Sequence, residues 1–509
     1  MIKYLLFFLF LSQTLIAQWP HRILDSSDRA YYHSISDSKG GVFIERAKFM
    51  GGHWSNWLHH ISEHGYATFP DSGIMMLDSS NYNLHLSGIT SDRNGGYFVG
   101  FIIDSGSVSK FYIDWRDSLN NSLWMNPLLI DTSAFGGSMR LEESSPGNVF
   151  VVIQSNVCKT IWVNTNRLSS WQFAPFCPSL FYDSPKIKFN GNGKAYILYQ
   201  YSDSVFLSCV DSSSGTSWPA PVLISSTARH IFQDAVFAIT SIKNIVVAWE
   251  DSGSHGNNIK IQRLDSTGVF LWGSNGKYLD TTSFVVGVSF DIASNGHNGC
   301  FLTGGGYLYN LDSIGSSISP PEMYGNNCQG VGFEGYSQVY LVDSNHALVT
   351  WTATSCPDRD GLYAQYFDFG CNTLWPQGGL TFYWTYQGIY SFITEQTIVN
   401  DDGSAICVMS PDNFGIFANR LPDSTISNLV PEISSTEFQV YPNPSNGLFN
   451  ASTQGKDSDC MIKIFDVTGS CIYSGSNLGE IDLRKSARGI YCVVGEKDGH
   501  SFVKRLILQ

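Results

Sequence analysis

The residues with the sharpest potential for chemistry are His60, Glu63 and His64, which match the HxxEH pattern of inverted zinc proteases. That chemistry requires a helix, because a helix brings both histidines onto one metal with the glutamate beside them. An internal repeat aligns residues 57–65 with residues 259–268, which read as a strand running into a turn. In a strand the two histidines lie roughly 13 Å apart at about 3.3 Å per residue, too far to share one zinc. The sequence therefore predicts no metal and no cofactor here.

Two turns offer a second kind of chemistry. Asp211–Trp218 and Asp265–Trp272 resemble the Asp-box turns of sialidase-like propellers, although Ser213 stands where that box has Asp. A sialidase also needs converging arginines and an acidic pair across a central pocket, and we find no such set. Residues 401–403, Asp-Asp-Gly, are compatible with calcium, but a tight turn is the commoner interpretation. The chain also lacks GxSxG, HExxH and phosphate-loop motifs, so we predict no catalytic residue.

A repeated unit of about 50 residues positions these turns. The clearest copies, residues 245–276 and 347–379, each contain a strand ending in Trp, a polar turn, a strand centred on Gln and a Leu-Trp pair. The apolar strand that opens each copy follows a Gly, Asn, Asp or Ser turn. Such starts occur eight times, at Val42, Tyr97, Val149, Ala195, Ile245, Cys300, Ala347 and Ala405.

These units predict an all-β fold, an eight-bladed β-propeller. One such unit cannot bury both faces of its sheet, and stacking neighbours around a ring buries them. Seven blades remain the alternative, because the sixth copy near residues 299–320 is poorly preserved. We expect the repeated Trp and Tyr side chains to pack between blades as core residues.

The eighth repeat lacks a final Trp-strand segment that other repeats carry. Residues 124–130 and 218–224 each begin with Trp and continue into a strand, whereas the pattern is lost after Leu421. Residues 19–24, Trp-Pro-His-Arg-Ile-Leu, supply a spare copy before the first repeat. We expect them to pair beside residues 414–421 and to join the last blade to the first.

Composition limits the partners and the compartment. The chain has 509 residues and a formal net charge of −14, so it would repel nucleic acid and anionic lipid. Residues 1–17 read as a signal peptide, with Lys3, an apolar core at 5–11 and Ala17 before the cleavage point. No other stretch approaches the length of a membrane span, so we expect no transmembrane helix in the mature chain.

Export permits disulfides, and the chain has 11 Cys. Cys356 and Cys371 flank one hairpin and form the pair that we predict, with Cys158 and Cys177 as a second candidate pair. Connectivity does not follow from sequence alone.

The composition changes after residue 421. Residues 422–436 are rich in Ser, Thr and Pro and read as a linker between a repeat domain at 18–421 and a terminal domain at 437–509. Short alternating strands in the terminal domain predict a small antiparallel β-sandwich. Its marked positions are Tyr441, Pro442, Asn443, Pro444, Gly447, Asp466, Gly469, Gly489, Tyr491 and Lys504.

In that order at the C-terminus, these residues resemble the type A sorting domain of type IX secretion cargo. The resemblance implies an immunoglobulin-like sandwich that the secretion machinery recognises at the outer membrane. It also implies passage through the periplasm, then removal of the domain with release or attachment to surface lipopolysaccharide. The repeats resemble, less specifically, the propeller-type repeats of other cargo.

Three functions remain open for the repeat domain. The leading one is a non-catalytic binding or adhesion protein for an extracellular glycan, peptide or surface, with the ligand unknown. The alternatives are an extracellular hydrolase of the glycosidase type and a structural surface or matrix component. Convergent carboxylates at the ring centre would favour the hydrolase.

Overall fold

The computed structural model describes residues 32–508 with internal gaps, and every regular element in that part is a β-strand. The chain divides into two compact units, residues 15–425 and residues 426–509. The residues within 32–508 that are not described are 51–52, 64, 66, 71, 78–82, 135, 155–157, 168, 173–184, 212–214, 229–234, 252–257, 280–288, 325–332, 355–359, 376–377, 386–393, 401–402, 411–415, 422–437, 444, 454–460, 466–470, 476–478 and 498–499.

The first unit is a series of antiparallel sheets, each formed by strands that follow one another in the chain. Sheets 1 to 4 contain β1 (Tyr32–Ser36), β2 (Val42–Met50), β3 (His53–Ile61) and β4 (Ile74–Leu77); β5 (Asn83–Ser91), β6 (Tyr97–Ser105), β7 (Val108–Arg116) and β8 (Leu128–Ser133); β9 (Ser138–Glu143), β10 (Asn148–Gln154), β11 (Cys158–Asn164) and β12 (Ser169–Gln172); and β13 (Lys186–Phe189), β14 (Lys194–Tyr201), β15 (Ser204–Asp211), β16 (Gly215–Thr216) and β17 (Val222–Ser225).

Sheets 5 to 8 continue the same arrangement. They contain β18 (Val236–Ile239), β19 (Ile245–Asp251), β20 (Asn258–Leu264) and β21 (Lys277–Tyr278); β22 (Phe290–Ser294), β23 (Cys300–Gly304), β24 (Tyr307–Leu311) and β25 (Glu322–Met323); β26 (Phe333–Asp343), β27 (His346–Thr354), β28 (Asp360–Asp368) and β29 (Leu380–Thr385); and β30 (Thr394–Val399), β31 (Ala405–Ser410) and β32 (Phe417–Arg420). A sheet therefore forms even where the sixth repeat is poorly preserved.

The turn chemistry explains why each predicted apolar start lies in the second strand of a sheet. In sheet 1 the Asp37 carboxylate accepts hydrogen bonds from the backbone N–H groups of Lys39 and Gly41, at 2.8 and 2.7 Å. A side chain at Gly41 would put its Cβ only 2.4 Å from the Ile61 carbonyl oxygen, so the tight turn needs glycine. The Asx turns at Asp92, Asn190 and Asn295 repeat this pattern in sheets 2, 4 and 6.

Tryptophans of the repeat link each sheet to the next one. The indole N–H of Trp218 in sheet 4 donates to the Ser266 carbonyl in sheet 5 at 3.1 Å. Trp272 in sheet 5 donates in the same way to the Ser313 carbonyl in sheet 6, also at 3.1 Å. Trp351 is fully buried against Tyr324 and Tyr363. The prediction that these aromatic side chains are core residues is confirmed.

Sheet 1 packs against sheet 8. The Gln396 side chain accepts a hydrogen bond from the Ser34 N–H at 2.8 Å and donates one to the Ser34 carbonyl at 2.9 Å. One hydrophobic cluster then joins Val42 and Ile44 of sheet 1 to residues of sheet 8. Among the described residues, no strand pairs with the outer side of β32. Residues 19–24, predicted to fill that position, lie outside the described residues.

The second unit has two antiparallel sheets over one hydrophobic core. The first contains β33 (Phe438–Tyr441), β34 (Leu448–Thr453) and β37 (Gly479–Asp482), and the second contains β35 (Met461–Phe465), β36 (Cys471–Gly475), β38 (Gly489–Lys497) and β39 (His500–Leu508). Phe449 and Ile481 of the first sheet share that core with Ile464, Val493 and Leu506 of the second.

The predicted disulfide between Cys356 and Cys371 is not formed. Cys371 is a free, buried thiol at φ 62°, in the turn after β28, and burial raises its pKa to about 11. It packs in the sheet 7 cluster with Trp351 and Phe367, as a small apolar residue would. Residues 356 and 177 and the side chain of residue 158 lie outside the described part of the chain, so the second candidate pair stays a prediction.

Candidate functional site

The first strands of the sheets are the elements that bring residues from distant repeats together. We use the name first strands for β1, β5, β9, β13, β18, β22, β26 and β30. The first strands of sheets 1 to 7 lie beside those of their neighbours in succession, and β1 also lies beside β30. A side chain on one first strand can therefore meet a side chain from a repeat far away in the sequence.

Apolar and charged residues alternate along the first strands β9 and β13, so the charged side chains share one face of each strand. On β9, Met139 and Leu141 are buried in the core shared with sheet 2, so Arg140 and Glu142 point to the opposite face. On β13, Ile187 is buried against sheet 3. Its neighbours Lys186 and Lys188 consequently point the other way and are only half-buried.

Both lysines reach the neighbouring sheet 5. The Lys186 ammonium donates to the Ala235 carbonyl oxygen at 2.9 Å. The Lys188 nitrogen lies 5.6 Å from the centroid of the Phe237 ring, a cation–π contact. These contacts hold two positive charges along the first strands of the unit.

The charges of the same lysines act on a carboxyl of sheet 6. Asp291 lies on β22 and accepts a hydrogen bond from the Val339 N–H of sheet 7 at 3.1 Å. Burial raises the pKa of Asp291, and the charges of Lys188 and Lys186 oppose that rise. The charge of Lys188, on sheet 4, therefore influences the pKa of a carboxyl on sheet 6.

Glu142 is the second carboxyl in the same field. Burial raises its pKa to about 7, although the charges of Arg140 and Lys188 lower it and Glu143 raises it further. Lys188 thus acts on Glu142 and on Asp291. We call Arg140, Glu142, Lys186, Lys188 and Asp291 the charge cluster.

The charge of Arg140 also acts on His33 of sheet 1. Burial lowers the pKa of its imidazole to about 4, and the charge of Arg140 lowers it as well. Its Nδ1 atom is buried without a hydrogen-bond partner among the described residues. The His33 imidazole is therefore neutral at physiological pH.

The sequence analysis missed the charge cluster because it concentrated on the strand after each turn. The available signal lies before the turn, where charged and apolar residues alternate in Arg140-Leu141-Glu142 and Lys186-Ile187-Lys188. The sequence cannot show which of these side chains face one another, because that depends on how the sheets pack.

His60, the first residue of the HxxEH pattern, is held by contacts with side chains of sheet 1 and the turn after it. His60 lies on β3, as the repeat alignment predicts, and its Nε2 lies 2.9 Å from Asp37 Oδ2. Its Nδ1 lies 2.8 Å from Thr68 Oγ1, and the ring stacks on Phe43 at 4.3 Å. His64 and residues 401–402 lie outside the described part of the chain. Within the described part, no three His, Cys, Asp or Glu side chains are grouped to hold a metal ion.

We expect His60→Ala, alone or with His64→Ala, to lower the melting temperature without changing the zinc content. The substitution removes two hydrogen bonds and a ring contact, which costs about 1–3 kcal/mol. Thermal unfolding and elemental analysis measure the two quantities. His346→Ala is the control, because among the described residues that partly exposed histidine has a side-chain hydrogen bond only to Asp343, at 2.7 Å. Stoichiometric zinc that disappears in the double variant would contradict this prediction.

The predicted sorting residues gather partly at the end of the last strand. Asn443 accepts a hydrogen bond from the Ile507 N–H at 3.0 Å, beside Tyr441 at the end of β33 and the exposed Pro442. Gly447 has φ 103°, and a Cβ there would lie 2.7 Å from the Arg484 Cα.

The other marked residues lie elsewhere in the unit. Tyr491 is buried in the core and donates to the Ala487 carbonyl at 2.5 Å. Gly489 begins β38, and Lys504 lies on β39 with its side chain not described. Pro444, Asp466 and Gly469 lie outside the described residues.

Comparison with known proteins identifies the terminal unit. Residues 439–509 match the family model described as secretion system C-terminal sorting domain. Comparison with curated protein sequences finds no match to this chain. No helix among the described residues is long and apolar enough to span a membrane.

Solved structures are similar to the chain at low sequence identity. Sqt1 of Chaetomium thermophilum, bound to the N-terminus of a ribosomal protein, is 9% identical, with 79% of this chain and 98% of that chain covered at a TM-score of 0.47. Oligopeptidase B of Leishmania major is 10% identical, and the match covers 76% of this chain and 54% of that chain at a TM-score of 0.41. A DUF4623 family protein of Bacteroides eggerthii is 9% identical, and the match covers 77% of this chain and 98% of that chain at a TM-score of 0.28.

Proposed function

We propose that this protein, a type IX secretion cargo exported to the cell surface or extracellular space through its sorting domain, is a non-catalytic binding protein. In this proposal the eight sheets of the first unit are the blades of a closed β-propeller. The ligand site lies at the first strands, where the charge cluster is. The ligand is an extracellular glycan, peptide or surface.

Contacts between neighbouring sheets support the propeller. A strand order that follows the chain, first strands lying side by side and tryptophans reaching the next sheet are all expected of blades in a ring. The Ser34–Gln396 hydrogen bonds join the first sheet to the last, as a closed ring requires. Closure would leave both faces of every sheet covered, which is what makes such repeats stable.

The charge cluster is the observation that carries the binding function. It holds three cationic side chains and two carboxyls in a chain whose net charge is −14. A local excess of positive charge in an acidic protein attracts anionic groups from solution. First strands also lie within a rigid scaffold, which keeps such a site in place.

The test is a binding screen of the exported protein, purified from the medium, against arrays of neutral and acidic glycans and of peptides. We expect saturable binding to at least one class, weakened by raised salt because charge contributes to it. Heat-unfolded protein is the control. Absence of binding to every class would overturn the proposal.

A glycosidase-type hydrolase is the second candidate, because Glu142 and Asp291 share the field of Lys188. The pKa of Glu142, about 7, suits a general acid at neutral pH. Release of reducing ends from a bound glycan, lost in Glu142→Gln, would establish hydrolysis. Binding without product would favour the non-catalytic function.

The division of the chain follows from the same proposal. We propose a signal peptide at residues 1–17, the propeller at 18–421, a linker at 422–436 and the sorting domain at 437–509. Adhesion, contact with the outer membrane, and release or attachment to lipopolysaccharide also remain proposals. Pairing of residues 19–24 beside β32 stays a prediction.

A further inference from the structure

Sheet 8 differs from the other sheets of the first unit at its outer edge. In each of the other seven sheets a further strand, which we call the outer strand, pairs with the third strand. Examples are β8 on β7 in sheet 2 and β17 on β15 in sheet 4. Within the described part of the chain, no strand covers the corresponding side of β32. Because an uncovered strand edge is a template for pairing, this side of β32 is a docking edge for one more strand.

A tryptophan just before the outer strand ties it to the next sheet. Trp124 donates its indole N–H to the Thr165 carbonyl of sheet 3 at 2.7 Å. Trp218 and Trp272 donate in the same way to carbonyls of sheets 5 and 6, both at 3.1 Å. Each acceptor directly follows the Asp or Asn that opens the turn after a third strand. That turn is therefore the docking point for the tryptophan of the preceding sheet.

A glycine in the turn makes room for the tryptophan ring in two of these contacts. A Cβ on Gly268 would lie 3.2 Å from the Trp218 ring, and one on Gly315 would lie 3.1 Å from the Trp272 ring. Both distances are tighter than an ordinary carbon–carbon contact of about 3.5–4.0 Å. The glycine thus lets the ring pack closely against the turn.

The turn after β3 has the same construction in sheet 1. Gly65 donates its backbone N–H to the Ser62 carbonyl at 2.8 Å, as Gly268 does to the Asp265 carbonyl at 3.1 Å. A β-bridge between the residues that flank the turn closes it in both sheets. Gly65 has φ 80° and is buried. By this correspondence the Glu63 carbonyl of sheet 1 is the equivalent of the tryptophan acceptors in sheets 3, 5 and 6.

Sheet 8 already reaches this acceptor. The Nη1 atom of Arg420, on β32, donates to the Glu63 carbonyl at 2.7 Å. A carbonyl oxygen has two lone pairs, so it can accept an indole N–H as well. The described strands of sheet 8 contain no tryptophan. A tryptophan for this position must therefore come from another part of the chain.

We propose that Trp19 docks on the turn at Glu63 and Gly65, and that residues 19–24 form the outer strand of sheet 8. Ile23 follows Trp19 by four residues, as Val222 at the start of β17 follows Trp218. The tryptophan would join sheet 8 to sheet 1 by the contact that joins the other neighbouring sheets. This inference rests on the closed ring proposed above and not on the ligand of that ring.

The order of the chain agrees with this placement. An outer strand is followed by the first strand of the next sheet, after residues 78–82 between β4 and β5 and after residues 134–137 between β8 and β9. Residues 25–31 would make the same connection, from the outer strand of sheet 8 to β1 of sheet 1. The segment would thus begin the chain at the place where the last repeat lacks a strand.

The linker contains the rival occupant. Val430 follows Asp423 at the seven-residue spacing at which Trp272 follows Asp265. Valine has no side-chain N–H group, so it cannot donate to the Glu63 carbonyl. Trp19 reproduces both the ring and the donor, and residues 19–24 are therefore the favoured strand.

Paired cysteines test the placement. Leu129 of β8 lies opposite Tyr112 of β7, and the same register puts Leu24 opposite Phe417 of β32. Facing residues of an antiparallel pair have Cβ atoms about 4.5–5.5 Å apart, within a small adjustment of disulfide geometry. We expect Leu24→Cys with Phe417→Cys to form a disulfide in most molecules. Mass spectrometry of unreduced peptides detects it, in protein from the cell envelope and from the medium.

Two control pairs make the result decisive. The facing pair of β7 and β8, as Tyr112→Cys with Leu129→Cys, should link. Leu24→Cys with Asn419→Cys, two residues out of register, should not. If the β7–β8 pair links and the pair at 24 and 417 does not, the placement is wrong. A link between Phe417→Cys and Ser435→Cys would assign the edge to the linker and would also overturn it.

Trp19→Ala tests the tryptophan contact separately. The loss of a packed ring and of its N–H donor should lower the melting temperature of the exported protein by about 5 °C. His21→Ala is the matched control within the segment, because the corresponding residues Asn126 and Ala220 are exposed. An unchanged melting temperature for Trp19→Ala would overturn the docking of Trp19. Failure of the glycan and peptide screen would leave both readouts unaffected, so this inference and the proposed binding function can fail independently.

Discussion

Deletion of residues 440–509 should stop secretion and leave the repeat unit folded inside the cell envelope. The deleted residues include nearly all of the sorting domain, which directs export by type IX secretion. The repeat unit has its own hydrophobic clusters, so its folding does not require them. Immunoblots of medium and envelope fractions measure the distribution. Normal amounts of truncated protein in the medium would contradict the prediction.

A single substitution should reproduce part of this effect. Gly447→Ala forces a Cβ to within 2.7 Å of the Arg484 backbone at φ 103°, so the sorting domain should unfold locally and export should fall. Gly106→Ala is the matched control, because it has φ 65° but nothing within 4 Å and lies outside the sorting domain. Equal export of both variants would show that the packing around Gly447 is not needed for recognition.

Glu45→Gln should change how stability depends on pH. Glu45 lies on β2, 5% exposed, and its carboxyl accepts a hydrogen bond from Asn56 Nδ2 at 2.7 Å. Burial raises its pKa to about 8, so the folded protein holds a proton there that the unfolded chain releases near pH 4.5. The folded state thus binds more protons across this window, and stability falls as pH rises through it.

Between pH 6.5 and 8 this loss should amount to about 2 kcal/mol for wild type relative to Glu45→Gln. Burial lowers the pKa values of His33 and His59 to about 4. These two histidines therefore reduce the stability of the folded protein only as pH falls below 6.5. They therefore do not obscure this range. Urea unfolding at pH 6.5, 7.2 and 8 measures the difference, with Glu322→Gln, exposed on β25, as the control. Parallel pH profiles for wild type and Glu45→Gln would contradict the assignment.

Local features of the fold could be predicted from the sequence. The eight apolar starts lie in the second strands of eight sheets, because an Asx turn followed by alternating residues is encoded within a few neighbouring positions. The strand position of His60 follows from the same repeat. The secretion signal was also readable, because it depends on a short ordered set of residues and not on packing.

Packing between sheets decided the remaining features. Arg140, Lys188 and Asp291 come from three repeats, and only the contacts among first strands place their charges in one field. The burial of the free Cys371 thiol depends in the same way on packing, in the hydrophobic cluster that contains Trp351. By itself the sequence determined the strands, the turns and the route of export, since these depend on neighbouring residues. The tertiary structure alone decided which charges meet, because that depends on distances between residues far apart in the chain.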